Sequence, residues 1–314
     1  MYRIGVDLGG TNIVAGVVDE DYRIIGRAKT KTKAPRPAAE IMDDIAKVVF
    51  AAAKDANISM DEVASVGMGT PGTVNKGTGV IEYANNLAFQ KVPAQKMLEE
   101  RIGKPIFLEN DANAAALGEA VAGAGKGTKD FIAITLGTGV GGGIVIDNKL
   151  LVGMNYAAGE LGHHVIVFNG EPCSCGRRGC WESYASATAL VRQTKEAMKR
   201  HPESKMWEIA ITLDSVNGRT SFDAMRAGDE AAKEVVDAYI NYVACGIINL
   251  VNALQPEMIC VGGGIGHEGE NLLEPLRKAV EKERYSIYAQ KQTKICPAVL
   301  GNDAGVIGAA VLES

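Results

Sequence analysis

The sequence predicts a duplicated α/β protein, and three observations carry that prediction. An apolar strand, a Leu-Gly turn and a returning apolar strand occur twice, at Tyr2–Asp7 with Ile13–Val18 and at Phe131–Leu136 with Gly143–Asp147. Apolar residues at helical spacing fill the segments between strand candidates, the alternation that builds α/β layers. Glycine supplies 37 of the 314 residues, about 12% against a usual level of roughly 7%, and concentrates in turns. The length is about twice that of a typical domain, which fits two halves with a cleft between them.

The elements follow in order. Tyr2–Asp7 and Ile13–Val18 read as strands joined by the Gly9-Gly10-Thr11 turn, and Tyr22–Thr30 as a third strand after the turn Asp19-Glu20-Asp21. Pro37 to Ala56 carries Ile41, Ile45, Val48, Val49 and Ala52 at helical spacing, with proline near its start. Val63–Gly69 and Pro105–Leu108 are short strands, and Ala112–Ala122 is a helix of small residues. The second cycle opens with Phe131–Leu136, the turn Gly137-Thr138-Gly139 and the strand Gly143–Asp147. Helices are then expected over Trp181–Arg200, Ser221–Ala227 and about Asp229 to Leu254. Pro256–Val261 has a buried-strand pattern and leads into Gly262-Gly263-Gly264-Ile265-Gly266.

Composition excludes several function classes. Lys and Arg number 33 against 38 Asp and Glu, a net charge of −5 without a basic stripe, so no nucleic-acid partner is expected. No stretch reaches the ~18 consecutive apolar residues of a membrane span, and the first residues lack a signal-peptide core. A cytoplasmic protein without a membrane partner is the expectation. Of the six cysteines, Cys245, Cys260 and Cys296 sit singly in apolar stretches and read as core thiols. Cys173, Cys175 and Cys180 crowd into eight residues, which in a reducing compartment points to metal.

The residues that could carry chemistry form four groups. Asp7-Leu8-Gly9-Gly10-Thr11-Asn12 sets a carboxylate at a strand end before glycines whose N–H groups can approach an anion, and Asp7 could hold Mg²⁺ through water. Gly137-Thr138-Gly139 with Gly141-Gly142-Gly143 repeats that turn, and the pair could grip a polyphosphate. Gly125-Lys126-Gly127-Thr128 fails as a Walker A loop because Gly127 follows the lysine, and Gly264–Gly269 matches G-x-G-x-x-G but leaves too little chain for a dinucleotide domain. Glu109-Asn110-Asp111-Ala112-Asn113 opens a helix, so Asp111 is either a helix cap or an ionised base for phosphoryl transfer. Finally, His163 with Cys173, Cys175 and Cys180 makes a Cys₃His set, suited to a closed, structural zinc site; His164 competes as the imidazole ligand.

These motifs, with Gly69-Thr70-Pro71-Gly72, Asn85-Asn86-Leu87, Glu160-Leu161-Gly162-His163 and Cys173–Glu182, resemble those of the ROK family of sugar kinases and repressors along the whole chain. The resemblance, strongest to the family's bacterial glucokinases, implies an actin-like, ribonuclease H-like fold. It implies a small lobe of residues 1–117 and 302–314, and a large lobe of 118–301 with the zinc loop, closing over sugar and ATP. It makes Asp111 the catalytic base, a role compatible with capping. Sugar hydroxyls are assigned to Gly72, Asn86, Asn110, Asp111, Glu160, His163 and Glu182. Phosphates are assigned to Asp7, Gly9, Gly10, Thr11, Asn12, Thr138 and Gly139, and adenosine to Gly263 and Gly264. His163, Cys173, Cys175 and Cys180 become the zinc ligands. The implied activity is ATP- and Mg²⁺-dependent phosphorylation of D-glucose by a homodimer or homotetramer; other hexoses are the alternative. Repressors of the family carry a helix-turn-helix ahead of the kinase-like part, and with a first strand at residue 2 that reading is not expected here.

Overall fold

The computed structural model describes residues 1–312; residues 313 and 314, the end of the expected small lobe, lie outside the described residues. In chain order the elements are β1 (Tyr2–Leu8), β2 (Asn12–Val18), β3 (Ile24–Lys31), α1 (Ala38–Asp55), β4 (Val63–Thr70), β5 (Thr73–Asn75), β6 (Val80–Ala84), β7 (Phe89–Val92), α2 (Ala94–Ile102), β8 (Ile106–Asn110) and α3 (Asp111–Ala122). Then come β9 (Phe131–Leu136), β10 (Val140–Ile146), β11 (Lys149–Leu150), α4 (Glu182–Ala185), α5 (Ala187–Arg200), α6 (Met206–Ile209), α7 (Thr220–Arg226) and α8 (Glu230–Leu254). The chain ends with β12 (Met258–Gly262), α9 (Gly263–Gly266), α10 (Glu270–Glu283), β13 (Lys294–Pro297) and α11 (Asp303–Ala310).

Two five-stranded sheets have the orders β3-β2-β1-β4-β8 and β11-β10-β9-β12-β13. Each sequence cycle thus yields the same strand sequence: a hairpin, a third strand beyond it, and two later strands on the other side. The chain divides into two compact units, one of Met1–Ala133, Gly143–Gly159 and Val299–Ser314, the other of Ile134–Gly142 and Glu160–Ala298.

In the first unit β1 pairs antiparallel with β2, with Asp7 opposite Val14 and Leu8 opposite Ile13, and parallel with β4. Helix α1 buries Ile41, Ile45, Val48, Val49 and Ala52 in one apolar core with Ile4, Val6 and Ile13. Helices α3 and α11 pack backbone to backbone: a Cβ on Gly308 would lie 1.7 Å from the Ala114 carbonyl oxygen. Strand β3 begins at Ile24 rather than Tyr22. The Asp19 carboxylate accepts the N–H groups of Asp21 and Arg23, and Tyr22 takes a φ of 63°, so the turn consumes the first two expected strand residues. A third sheet, β5-β6-β7, was not expected.

In the second unit α8 is the long core helix, capped by Asp229, whose side chain accepts the Ala232 N–H. It is the one helix among the described residues long and apolar enough to cross a membrane by composition, and 61% of that window is buried in the protein. The helix expected over Trp181–Arg200 is two helices. Ser186 is extended (φ −77°, ψ 162°), and its side chain accepts the Ala189 N–H and so caps α5. Strand β10 begins at Val140, not Gly143, because its three glycines pair despite their poor strand propensity.

Candidate active site

Each unit gathers part of the residue set singled out in the sequence. In the first, the Gly9–Thr11 turn is held from both ends: Gly9 N–H donates to Asn12 (2.9 Å), and Thr32 donates its N–H to the Thr11 carbonyl (2.9 Å) and its hydroxyl to that of Gly9 (2.6 Å). Thr32 is fully buried; nothing in its sequence context marks it. Asp7 stands just before this turn. Burial, then the neighbouring Asp111 carboxylate, push Asp7 up to about 6. Asn86 is exposed on a 3₁₀ turn, Asn85–Leu87, and its Cβ lies 3.5 Å from where a Cβ of Gly10 would stand.

Strand β8 runs directly into α3, which places Asn110 and Asp111 at the junction. The Asn110 side chain accepts the N–H groups of Ala112 (2.9 Å) and Asn113 (3.2 Å), which makes it the cap of α3. Asp111 is therefore the first helical residue and not the cap; its Oδ1 accepts the Ala112 N–H at 2.8 Å. Burial raises the Asp111 pKa, partly offset by that hydrogen bond, so the expected stabilisation of its charge by the helix start is outweighed. The Asn110 amide donates to the Gly72 carbonyl (3.1 Å). Glu109, which sequence reasoning left without a role, is 1% exposed. Its position at the end of an apolar strand was the available signal.

In the second unit, His163 ends a 3₁₀ turn (Leu161–His163) and meets the cysteine loop. The donor atoms of His163, Cys173, Cys175 and Cys180 all lie within 4.8 Å of one another. His163 Nδ1 is 3.6 Å from Cys173 Sγ, and Cys175 Sγ is 3.7 Å from Cys180 Sγ. A tetrahedral zinc with Zn–S of about 2.3 Å and Zn–N of about 2.0–2.1 Å has S···N and S···S edges of about 3.6 and 3.8 Å. These two edges match those distances, and the donor set fits zinc. The loop is shaped by Gly179 at φ +81°, where a Cβ would strike the Val167 carbonyl at 1.7 Å. Burial opposes ionisation of Cys173, but hydrogen bonds from Cys175, Cys180 and His163 outweigh it and bring this thiol down to about 6. His164 is not a fifth donor. Its Nδ1 faces the Leu161 carbonyl at 2.5 Å and its ring packs on Trp181, with centroids 5.2 Å apart.

Glu182 follows the last cysteine and opens α4. Its Oε2 accepts the Val140 N–H (3.1 Å), and its Oε1 lies 3.4 Å from Ser174 Oγ and 4.0 Å from Cys173 Sγ. A Cβ on Gly139 would stand 2.3 Å from Oε2, so the Gly137–Gly139 turn seats this carboxylate. The turn itself is held by Thr188, whose hydroxyl donates to the Thr138 carbonyl (2.8 Å). Glu160 is exposed at the head of the 3₁₀ turn. Gly263 and Gly264 open the single turn α9, with open space beside Gly264.

Comparison with known proteins agrees with these features. The chain matches the ROK family over residues 3–314. It is 39% identical to a glucokinase of Streptomyces coelicolor across 98% of this chain and 96% of that protein. The structure of a ROK family glucokinase from Streptomyces griseus in complex with glucose and AMPPNP has 39% identity, covers 99% of this chain and 98% of its own, and superposes with a TM-score of 0.80. A ROK hexokinase from Thermus thermophilus has 34% identity and a TM-score of 0.85, covering 99% and 97%.

Proposed function

This chain belongs to the ROK family, and from that membership we propose that it transfers the γ-phosphoryl group of ATP to the 6-hydroxyl of D-glucose. The likeness to the glucose- and AMPPNP-bound glucokinase supports the substrate pair. The observation that carries the chemistry is the β8–α3 junction, where Asn110 does the capping and leaves Asp111 as a half-buried carboxylate with a raised pKa. A raised pKa makes a better proton acceptor near neutral pH. Asp111 takes the proton of the 6-hydroxyl as its oxygen attacks phosphorus, and ADP leaves.

Asn110, Glu160, His163 and Glu182 bind the other hydroxyls, and Gly72 and Asn86 join them in that role. His163 has Nδ1 turned to the thiols, so its Nε2 is the nitrogen left for a hydroxyl. Zinc held by His163, Cys173, Cys175 and Cys180 is structural: four protein donors leave no open position. Asp7, Gly9, Gly10, Thr11, Asn12, Thr138 and Gly139 serve the phosphates, and Gly263 and Gly264 the adenosine. Asp7 and Asp111 are half-buried carboxylates, and Asp7 is raised first by desolvation and then by Asp111; the pair suits a hard divalent cation, and Asp7 would hold Mg²⁺. Held there, Mg²⁺ would neutralise charge developing on the phosphates.

The test is kcat/KM for glucose, mannose, fructose, allose, N-acetylglucosamine and N-acetylmannosamine, read by ADP release. Matched hydrogen bonds penalise any sugar that leaves a buried group unpaired, so glucose should lead by about tenfold, with mannose second. Another sugar leading by that margin removes the glucose assignment and leaves the kinase. No ADP release with any hexose removes both.

A further inference from the structure

Lys76 and Glu109 make an ion pair that the proposed chemistry does not use. Glu109 is buried on β8, next to Asn110, and a buried carboxylate is costly unless both oxygens are compensated. Its Oε1 accepts the Asn110 N–H (2.9 Å) and the Asn113 side-chain amide (3.0 Å). Its Oε2 meets the ammonium of Lys76, which comes from the turn after β5. On the other side of β5, the Gly72 carbonyl accepts the Asn110 amide. Two polar ties, one of them charged, thus flank β5 and end on Glu109 and Asn110, next to Asp111.

The tied segment needs them. Strands β5, β6 and β7 form a separate sheet of three, five and four residues per strand that pairs with neither five-stranded sheet. A sheet this small has little stability of its own. It is preceded by Gly72 and carries Asn86, both proposed above to serve the sugar. We propose that Lys76 and Glu109 are a positioning pair that fixes this arm on the Asn110–Asp111 junction, so that sugar affinity depends on two residues that do not touch the sugar. The inference rests on the kinase reading for its link to sugar. Buried ion pairs generally set geometry better than they add stability, which suits such a role.

Lys76→Met keeps the aliphatic stem and removes the charge; Glu109→Gln keeps the acceptor for Asn110 and Asn113. Each should raise the glucose KM about tenfold while the ATP KM stays within about twofold. The double variant, neutral at both places, should lose much less than the two single effects combined, because contacting residues couple. It also keeps the test open if Lys76→Met alone does not fold. Amide exchange across residues 72–92 should quicken in Lys76→Met while α8 stays protected. Equal rises in the glucose and ATP constants, or purely additive effects, overturn the proposal. Exchange needs no substrate: a wild-type protein inert towards glucose refutes the kinase reading, whereas unchanged exchange in Lys76→Met refutes the pair.

Discussion

Asn110 caps the helix that Asp111 begins. One side chain accepts two backbone N–H groups of the first turn while the next is left as a half-buried carboxylate with a raised pKa. Capping and proton transfer, which the sequence allowed to fall on one residue, are divided between two neighbours. The division has energetic meaning, because an N-cap contributes about 1 kcal/mol and a residue relieved of it can change charge without loosening the helix.

Asp111→Asn should therefore not loosen α3, and it should lower kcat by ~10²-fold or more, with glucose affinity altered far less, as for a group acting in the transition state. Steady-state kinetics with a glucose binding titration on the same preparation decides it. Near-normal turnover would show that the proton goes elsewhere.

Asp7 should make the apo protein less stable as pH rises. Its folded value, about 6, lies above the ordinary 3.8, so between these values the folded state holds the proton more tightly. Stability from this group is fully present below about pH 4 and is lost as pH climbs through 6. The difference corresponds to about 3 kcal/mol at pH 8. In metal-free, nucleotide-free buffer, Asp7→Asn should be more stable than wild type at pH 8 by an amount of that order, and the gap should close towards pH 4. A gap independent of pH would mean that Asp7 is not the titrating group.

How much of this was legible depends on how locally each feature is encoded. The two strand–turn–strand cycles show in the alternation around Leu8-Gly9 and Leu136-Gly137, and the zinc loop in four residues of distinctive type within a short span. Helix α11 was missed because Ala304, Val306, Ile307, Ala309 and Ala310 are all buried, so there is no polar face to give a helical period. The β5–β7 arm was missed because its strands are three to five residues long. Ser186 reads as one more small residue in a helical pattern until its side chain is seen capping α5. The Lys76–Glu109 pair joins segments far apart in sequence, and no local pattern encodes it.

The zinc loop should carry one metal per chain. Cys175→Ser should lower the zinc content and weaken glucose binding more than ATP binding, since the loop holds His163 and Glu182. Elemental analysis with paired titrations of both ligands checks this. A fully active protein without stoichiometric zinc would rule the site out.

Gly246 gives the most distant handle on that loop. Trp181 lies between Cys180, a proposed zinc ligand, and Glu182, proposed to bind sugar; it is fully buried, and its indole N–H donates to the Tyr242 carbonyl of α8 at 2.8 Å. One turn further along α8 comes Gly246, where a Cβ would stand 2.1 Å from the indole. The indole ring is rigid and enclosed, so Gly246→Ala cannot be accommodated by a rotamer change and must displace the ring or the helix. Alanine's better helix propensity returns up to about 1 kcal/mol, against an overpacking cost of about 1–3 kcal/mol. The net change should be destabilising, and the displacement should pass through Trp181 to both neighbours. Thermal unfolding and a zinc-release assay with a chromogenic chelator test the two halves separately. A lower Tm with zinc released faster than from wild type is expected. A lower Tm with unchanged zinc release would confine Trp181 to the core.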